Sequence, residues 1–181
     1  MKIKFNEPGF NKITFVDLLD ETEDIKWKIL EWHNQDFLRG KIDKEKYTAE
    51  SHKIFLQKLP NSKRKHYIVY YEKRPIGKYD FIIDGQNVSD LGNYLFFEED
   101  LMTGIGLLMR QAFLKYVFED LRLNKITYKV YKSNKSTISL SKKTGGIIIA
   151  DDEEWIFFEI TTERWLAKKE KIDMLVKYMF A

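Results

Sequence analysis

Two glycines one residue apart, Gly104 and Gly106, lie where a strand-like segment gives way to a long apolar one, in EEDLMTGIGLLMRQAFLKYVFEDL (98–121). A turn that opens a helix directs free N–H groups and the positive end of the helix dipole at one point, which suits a phosphate. Glycine allows an anion to approach because it has no Cβ. A flexible joint before a core helix is the alternative. A P-loop and a full dinucleotide fingerprint are excluded, since Gly-Lys-Ser/Thr is absent and Met109 occupies the third glycine position.

The composition indicates one soluble domain. The chain has 181 residues and a net charge of +3 spread along its length, which is too weak to predict nucleic-acid binding. It has no Cys, which excludes disulfides and thiolate ligands, and His33, His52 and His66 lack metal-ligand spacing, so no metal is expected. No apolar run is long enough to span a membrane, and the start MKIKFNEPGF has no signal-peptide core. We expect a cytoplasmic protein.

Periodicity predicts alternating strands and helices around a mixed α/β sheet. Residues 105–121 are apolar on nearly every side and predict a buried central helix. The predicted strands are 12–18, 66–72, 75–84, 89–97, 124–132, 147–150 and 154–162, and the other predicted helices are 20–34, 48–59, 133–146 and 163–180. The last helix is amphipathic, and its Trp165, Leu175 and Met179 could close the core or contact a second subunit. We expect a domain over 1–163 and a terminal helix over 164–181.

A second motif follows one helix and one strand after the glycines. In NKSTISLSKKTGG, Asn134, Leu140 and Gly145 match Asn-x-x-Ala/Ser-x-x-Leu/Phe-x-x-x-x-Gly, with Ser136 one place early, while LMTGIG matches Gln/Arg-x-x-Gly-x-Gly/Ala. With these two motifs the chain resembles the GNAT family of acetyl-CoA-dependent N-acetyltransferases over roughly residues 12–162. The stretches EWHN, HYIVYYEKRPIGKYDF and LGNY are similar to the branches that acetylate ribosomal proteins and the sugar nucleotides of pseudaminic acid biosynthesis.

The resemblance implies a fold and a cofactor site. The GNAT fold is a mostly antiparallel sheet of about seven strands flanked by helices and splayed between the fourth and fifth strands, where acetyl-CoA binds. By resemblance, the backbone of Asn93, Tyr94 and Leu95 binds the pantetheine arm. The N–H groups of Gly104, Ile105, Gly106 and Leu107 bind the pyrophosphate. Asn134, which could equally be a helix N-cap, bonds the pantetheine amides. Lys142 or Lys143 contacts the adenosine phosphate, and Ser141 is also expected among the cofactor-binding residues.

Two departures from the family pattern concern catalysis. Leu101 replaces the first Gln/Arg of the loop, which leaves the backbone donors in place. Ser141 stands where many members have the Tyr that protonates the departing thiolate, and a hydroxyl is a far weaker acid than a phenol. Water, an unassisted thiolate, or Tyr94, Tyr128 or Tyr131 are the alternatives for the acid, although each of these tyrosines could simply pack in the sheet.

The amine must also lose a proton, and a carboxylate or an ordered water near the strand gap is expected to take it. Asp90 and His33 are the candidate bases, with Glu98 and Glu99 also flanking the strand. Asp90 could instead belong to a turn. The basic segment KLPNSKRKH (58–66) either contacts an acidic acceptor or forms a solvated loop.

We therefore expect an acetyl-CoA-dependent N-acetyltransferase acting on a small-molecule amine, with a UDP-linked amino sugar as the leading acceptor. A protein N-terminus of the ribosomal type is the rival acceptor. A non-catalytic acyl-CoA-binding module is the rival from another class, because Ser141 and Leu101 depart from the motifs. The chain could also form a homo-oligomer.

Overall fold

The computed structural model describes residues 1–42 and 45–181. Its strands are β1 Lys2–Lys4, β2 Ile13–Asp17, β3 Arg64–Tyr71, β4 Arg74–Asp84, β5 Asn87–Leu95, β6 Lys125–Tyr131, β7 Ile147–Asp151 and β8 Trp155–Thr161. Its helices are α1 Glu23–His33, α2 Ala49–Lys58, α3 Ile105–Lys115, α4 Lys135–Lys143 and α5 Thr162–Phe180. The eight strands form one sheet in the order β1-β2-β3-β4-β5-β6-β8-β7.

The sheet opens between β5 and β6. All neighbouring strands are antiparallel except β5 and β6, which are parallel and pair only at Asn87 with Lys125 and at Val88 with Ile126. Beyond this short ladder, β5 carries a bulge opposite β4, and Asp90 within it has a left-handed φ of 51°. A bulge bends its strand and increases the local twist. The predicted splay is therefore confirmed, because β5 and β6 are the fourth and fifth of the predicted strands. The backbone groups of β5 and β6 that face this gap do not pair with each other.

The two faces of the sheet carry separate apolar cores. The larger core packs α3 and α5 against one face, and every residue of α3 except Gly106 is buried. The predicted central helix is thus confirmed, since a helix that is apolar on all sides needs cover all round. The smaller core packs α1 on the other face, where Trp32 stacks on Phe96 with ring centroids 4.1 Å apart.

The terminal helix α5 packs on the same chain. Trp165, Ile172 and Val176 are buried in the larger core, and Trp165 Nε1 donates a hydrogen bond to Gln111 Oε1 at 3.2 Å. Met179 remains 42% exposed. Since α5 begins at Thr162, directly after β8, it adds a layer to the core over α3.

Two features differ from the sequence prediction. The edge strand β1 was not predicted, because three residues are too few to show an alternating pattern. The basic segment 58–66 is not wholly a loop, since β3 begins at Arg64.

Candidate active site

Two cavities meet at β5. The larger has a volume of about 550 Å³ and the smaller about 220 Å³. They share six lining residues, which are Lys41, Ile42, Asn93, Tyr94, Asn134 and Thr137. A ligand in the strand gap could therefore reach both cavities, and a group transferred between two ligands would pass near Asn93 and Tyr94.

The smaller cavity contains the glycine loop. Gly104, Gly106 and Leu107 line it together with Asn93, Tyr94 and Leu95 of β5. Gly104 has a φ of +88°, which glycine adopts at low cost and other residues rarely adopt. Its ideal Cβ position lies 2.0 Å from Met179 Cε, so the end of α5 packs directly on this loop.

The turn before the glycine loop is fixed by an ion pair whose carboxylate is buried and whose guanidinium is exposed. Asp100 is 5% exposed, accepts a hydrogen bond from Arg74 and lines the smaller cavity. Thr103 Oγ1 donates to the carbonyl of Asp100 at 2.8 Å. The same hydroxyl oxygen accepts from the backbone N–H of Ile105 at 3.3 Å. The first turn of α3 is thus held in place before any ligand binds.

Three residues predicted to contact the cofactor do not line either cavity. Ile105 is buried in the larger core, and its N–H is bonded to Thr103. Ser141 is 1% exposed and its Oγ has no hydrogen-bond partner in the described chain, because it faces inward from α4. Lys142 is exposed on the last turn of the same helix, outside the cavity walls. Lys143, the alternative to Lys142, does not line a cavity either, and contact of these residues with the cofactor stays a prediction.

Asn134 lies at the junction of the cavities as a helix cap. Its Oδ1 accepts from the backbone N–H of Thr137 at 3.2 Å and from Ser136 Oγ at 3.0 Å, while Nδ2 donates to the carbonyl of Lys41 at 3.3 Å. The capping role expected from sequence is therefore present. A bond from Nδ2 to a ligand amide would compete with the bond to Lys41.

A cluster of paired charges forms one wall of the larger cavity. Lys78 is buried, and its Nζ lies 3.2 Å from Asp80 Oδ2. Arg64 forms ion pairs with both Asp80 and Asp90. Burial alone would raise the pKa of Asp80, but the charges of Lys78 and Arg64 outweigh it and hold that pKa below its usual value. Asp80 is therefore ionised at neutral pH.

The predicted base Asp90 lines this cavity, but its carboxylate is occupied by Arg64, and its side chain is 60% exposed. Arg64 Nη1 also donates to the carbonyl of Asp90 at 2.8 Å, which fixes the bulge in β5. Such contacts favour a structural role for Asp90 in shaping the strand gap.

His66 stays neutral beside this cluster. Burial, followed by the charge of Lys78, lowers the pKa of His66 to about 3, although Asp80 opposes the shift. Burial also lowers the pKa of His52, whose Nε2 lies 2.8 Å from the carbonyl of Lys26. Both imidazoles are therefore uncharged at neutral pH and do not add to the positive charge of the cavity.

His33 and Tyr94, two predicted catalytic residues, are in contact. His33 Nδ1 lies 3.4 Å from the Tyr94 hydroxyl, and the His33 ring stacks on Tyr47 with centroids 4.2 Å apart. Burial, with smaller effects of Asp80 and Tyr47, raises the pKa of Tyr94 well above its usual value. Tyr94 is therefore a neutral hydroxyl that can donate or accept a hydrogen bond where the cavities join.

The other two candidate tyrosines lie on β6 and also line the larger cavity. Tyr128 is buried, and its hydroxyl has no hydrogen-bond partner in the described chain. Tyr131 stacks on Trp155 with ring centroids 3.6 Å apart, and Lys129 Nζ lies 4.2 Å from the Trp155 ring centroid. These three side chains form an aromatic and cationic rim of the larger cavity, which was not predicted from the sequence.

All three histidines line the larger cavity, although their spacing in sequence does not suggest it. Even so, the described residues include no group of three His, Cys, Asp or Glu side chains arranged to hold a metal ion. Within residues 1–42 and 45–181, no helix is long and apolar enough to cross a bilayer.

Comparison with known proteins identifies acetyltransferases. No protein-family model matches the chain. The acetyltransferase PseH of Campylobacter jejuni is 25% identical over 128 residues, which is 70% of this chain and 80% of that protein. The crystal structure of C. jejuni N-acetyltransferase PseH with acetyl coenzyme A superposes with a TM-score of 0.67 and 23% identity, covering 83% of this chain and 99% of that one.

A second solved structure shares the fold at lower identity. Spermidine N-acetyltransferase from Vibrio cholerae, in complex with CoA and spermine, superposes with a TM-score of 0.71 and 16% identity, covering 86% of this chain and 98% of that one. The splayed sheet, the glycine loop at the start of α3 and these similarities agree with one another. The chain therefore has the GNAT (Gcn5-related N-acetyltransferase) fold, and its sequence is similar to that of the PseH acetyltransferases.

Proposed function

We propose that this protein is an acetyl-CoA-dependent N-acetyltransferase whose acceptor is the primary amine of a nucleotide-linked amino sugar. The observation that supports the reaction is the junction of two cavities at Asn93 and Tyr94, one containing the start of α3 and the other walled by charged residues. The acyl donor occupies the smaller cavity and the acceptor the larger one.

The residues of the smaller cavity fit the donor. The free backbone of β5 beyond Val88 suits the amides of a pantetheine arm, which can pair with it like an added strand. The backbone N–H of Gly106 and the positive end of α3 suit a pyrophosphate, while the Leu107 N–H already donates to the carbonyl of Gly104 at 2.9 Å. When bound, acetyl-CoA supplies the activated acetyl group, and the chain's contribution is orientation and electrostatics.

The charge of the larger cavity supports an anionic acceptor. Its described lining contains four permanent cations against two carboxylates, since Lys41, Arg64, Lys78 and Lys129 outnumber Asp80 and Asp90. A polyamine would be repelled by this excess, whereas the diphosphate of a nucleotide sugar would be attracted. The stacked pair of Tyr131 and Trp155 at the rim offers a flat surface for a base.

Proton transfer from the acceptor amine falls to groups at the junction. His33 can accept that proton directly or through water, and Tyr94, 3.4 Å from its Nδ1, orients the imidazole. Asp80 lies in the same cavity, but its two cationic partners make it a poor base. We therefore assign the base role to His33 rather than to Asp90.

The test follows CoA release from acetyl-CoA with separate acceptors: UDP-linked amino sugars, spermidine, and peptides with ribosomal N-termini. We expect kcat/KM for a UDP-amino sugar to exceed that for spermidine by about 100-fold, and to fall as salt screens the cavity. Preference for spermidine or a peptide would overturn the acceptor. Saturable binding of acetyl-CoA without turnover on any amine would favour a non-catalytic acyl-CoA-binding module.

Matched lysine variants test whether the cavity charge selects the acceptor. Lys129→Gln removes a cation at the rim of the larger cavity, whereas Lys135→Gln removes an exposed cation on α4 that lines neither cavity. We expect the first to raise KM for the UDP-amino sugar several-fold and the second to leave it unchanged. Equal effects of the two variants would indicate a general dependence on net charge instead of a local contact.

A further inference from the structure

Arg110 of α3 is a buried cation with no anionic partner. It is 2% exposed, it forms no ion pair with the described residues, and its Nε and Nη2 have no hydrogen-bond partner there. Its one polar contact is a side-chain hydrogen bond with Tyr79. The other buried lysines and arginines in residues 1–42 and 45–181 are Lys78, paired with Asp80, and Lys115, paired with Glu7 and Asp173. Arg110 is therefore an exception that requires a physical reason.

An unpaired buried guanidinium is expensive. Arginine does not lose its proton in proteins, so it cannot escape the cost by becoming neutral, and the penalty for a buried ion is several kcal/mol. The tyrosines near Arg110 offset only part of this penalty. Its Cζ lies 4.6 Å from the ring centroid of Tyr128, and its charge opposes the rise that burial causes in the pKa of Tyr79.

The guanidinium lies beneath the strand gap. Tyr79 is on β4 and Tyr128 on β6, and β5 runs between those two strands. Asn93 is opposite Tyr79 in the ladder and lines both cavities. The Tyr128 hydroxyl lacks a partner in the described chain, whereas the Tyr79 hydroxyl interacts with Arg110. A cation without an anionic partner, the tyrosine that bonds it and one unpaired hydroxyl thus meet under the place where the two cavities join.

We propose that Arg110 is a positioning residue that stabilises negative charge on the sulfur of CoA through the Tyr128 hydroxyl. This role depends on the proposed function only in requiring CoA in the gap. During transfer, the amine nitrogen bonds to the acetyl carbon, the carbon–sulfur bond breaks, and its electron pair stays on sulfur as a thiolate. Tyr128 donates a hydrogen bond to this thiolate, and Arg110 polarises that hydroxyl from below.

The amine proton leaves toward the larger cavity, and the thiolate gains a proton from solvent after CoA is released. Lys78 and Asp80 lie on the opposite face of the sheet from Tyr79 and neutralise one another, so they add little net charge at the sulfur. His33 and Tyr94 also line the larger cavity on that side.

Arg110→Met separates this role from a structural one. Because methionine removes an unpaired buried charge while keeping an unbranched side chain, we expect the melting temperature to stay the same or rise. We expect kcat to fall about 10- to 100-fold with KM for acetyl-CoA nearly unchanged. The matched control Lys115→Met breaks a buried ion pair and should lower the melting temperature. A lower melting temperature with unchanged kcat for Arg110→Met would overturn the proposal.

A second measurement does not depend on turnover. The thiol of bound CoA is titrated by the ultraviolet absorbance of its thiolate, and its pKa should lie below the ordinary value in the wild type. Arg110→Met should weaken the ionisation about tenfold, which is one pKa unit, and Arg110→Lys should largely retain it. Tyr128→Phe should have the same effect as Arg110→Met, and the double variant should lose nothing more.

The outcomes distinguish the two proposals. If no amine is acetylated but the bound thiol responds to Arg110, the proposed function fails and the role of Arg110 stands. If an amine is acetylated and the bound thiol titrates identically in the wild type and Arg110→Met, the role of Arg110 fails alone. Failure of the protein to bind CoA would overturn both.

Discussion

Gly104→Ala tests whether the glycine loop holds the acyl donor. Gly104 has a φ of +88°, where an alanine costs roughly 1–2 kcal/mol, and the added Cβ would meet Met179 Cε. Met179 is 42% exposed and can move, so we expect the steric cost to be the smaller part. At about 2–4 °C per kcal/mol, the melting temperature should fall by roughly 2–8 °C. KM for acetyl-CoA should rise, since the N–H groups around residue 106 would shift away from the phosphates.

Gly85 provides the matched control. It has a φ of +58° in the turn between β4 and β5, and nothing lies within 4 Å of its ideal Cβ position. Gly85→Ala should therefore show a similar loss of stability with an unchanged KM, measured by thermal unfolding and by CoA release at varied acetyl-CoA. Adding Met179→Ala to Gly104→Ala should recover the steric part alone. If both glycine variants leave KM unchanged, the loop does not bind the donor.

Three further predictions concern the core and the titrating groups. Trp165→Phe removes the donor to Gln111 Oε1 and should cost about 1–3 kcal/mol in urea unfolding, because a buried acceptor is left without its partner; a change below about 0.5 kcal/mol would contradict this. The folded-state pKa of His66, about 3, lies below the unfolded value, so its stabilising effect is complete above about pH 6.5 and is lost as the pH falls toward 3. His66→Gln should remove about 1.4 kcal/mol per pH unit of that slope between pH 6 and 4, and parallel slopes in the two proteins would refute it. Since the pKa of Tyr94 is raised well above 10, Tyr94→Phe should lower kcat without changing the basic limb of the pH–rate profile. Loss of that limb would show that Tyr94 titrates. His33→Gln should lower kcat, because it removes the proposed base.

Most helices and strands were predictable because their sequence signals are local. The helix α3 is apolar on every side and α4 has a cap at each end, at Asn134 and at Gly145 with its φ of +97°. The paired charges of the larger cavity were not predictable. In β4, Lys78 and Asp80 alternate with buried Tyr79 and Phe81, which is the pattern of a strand with one solvated face. In the folded protein, helices cover the face of the sheet that carries Lys78 and Asp80. This burial is visible only in the tertiary structure.

The aromatic and charged groups around the gap come from strands distant in sequence. Tyr79 and Tyr128 are 49 positions apart, and the helix that brings Arg110 between them lies under a third strand. No spacing rule connects such residues, because sheet order, not chain order, makes them neighbours. A buried cation on an apolar helix was the one available signal, since such a residue usually has a carboxylate partner.

Although Ser141 replaces the tyrosine found in many GNAT proteins, tyrosine hydroxyls are still present near the strand gap. Ser141 is 1% exposed and lines neither cavity. Tyr94 and Tyr128 instead approach the gap from β5 and β6, the two strands that form it. Tyr94 is held opposite Lys78 and Tyr128 opposite Phe158 by the sheet ladder. In the proposed function, tyrosines on these strands therefore provide the hydroxyls near the reacting atoms, and their positions are set by the sheet.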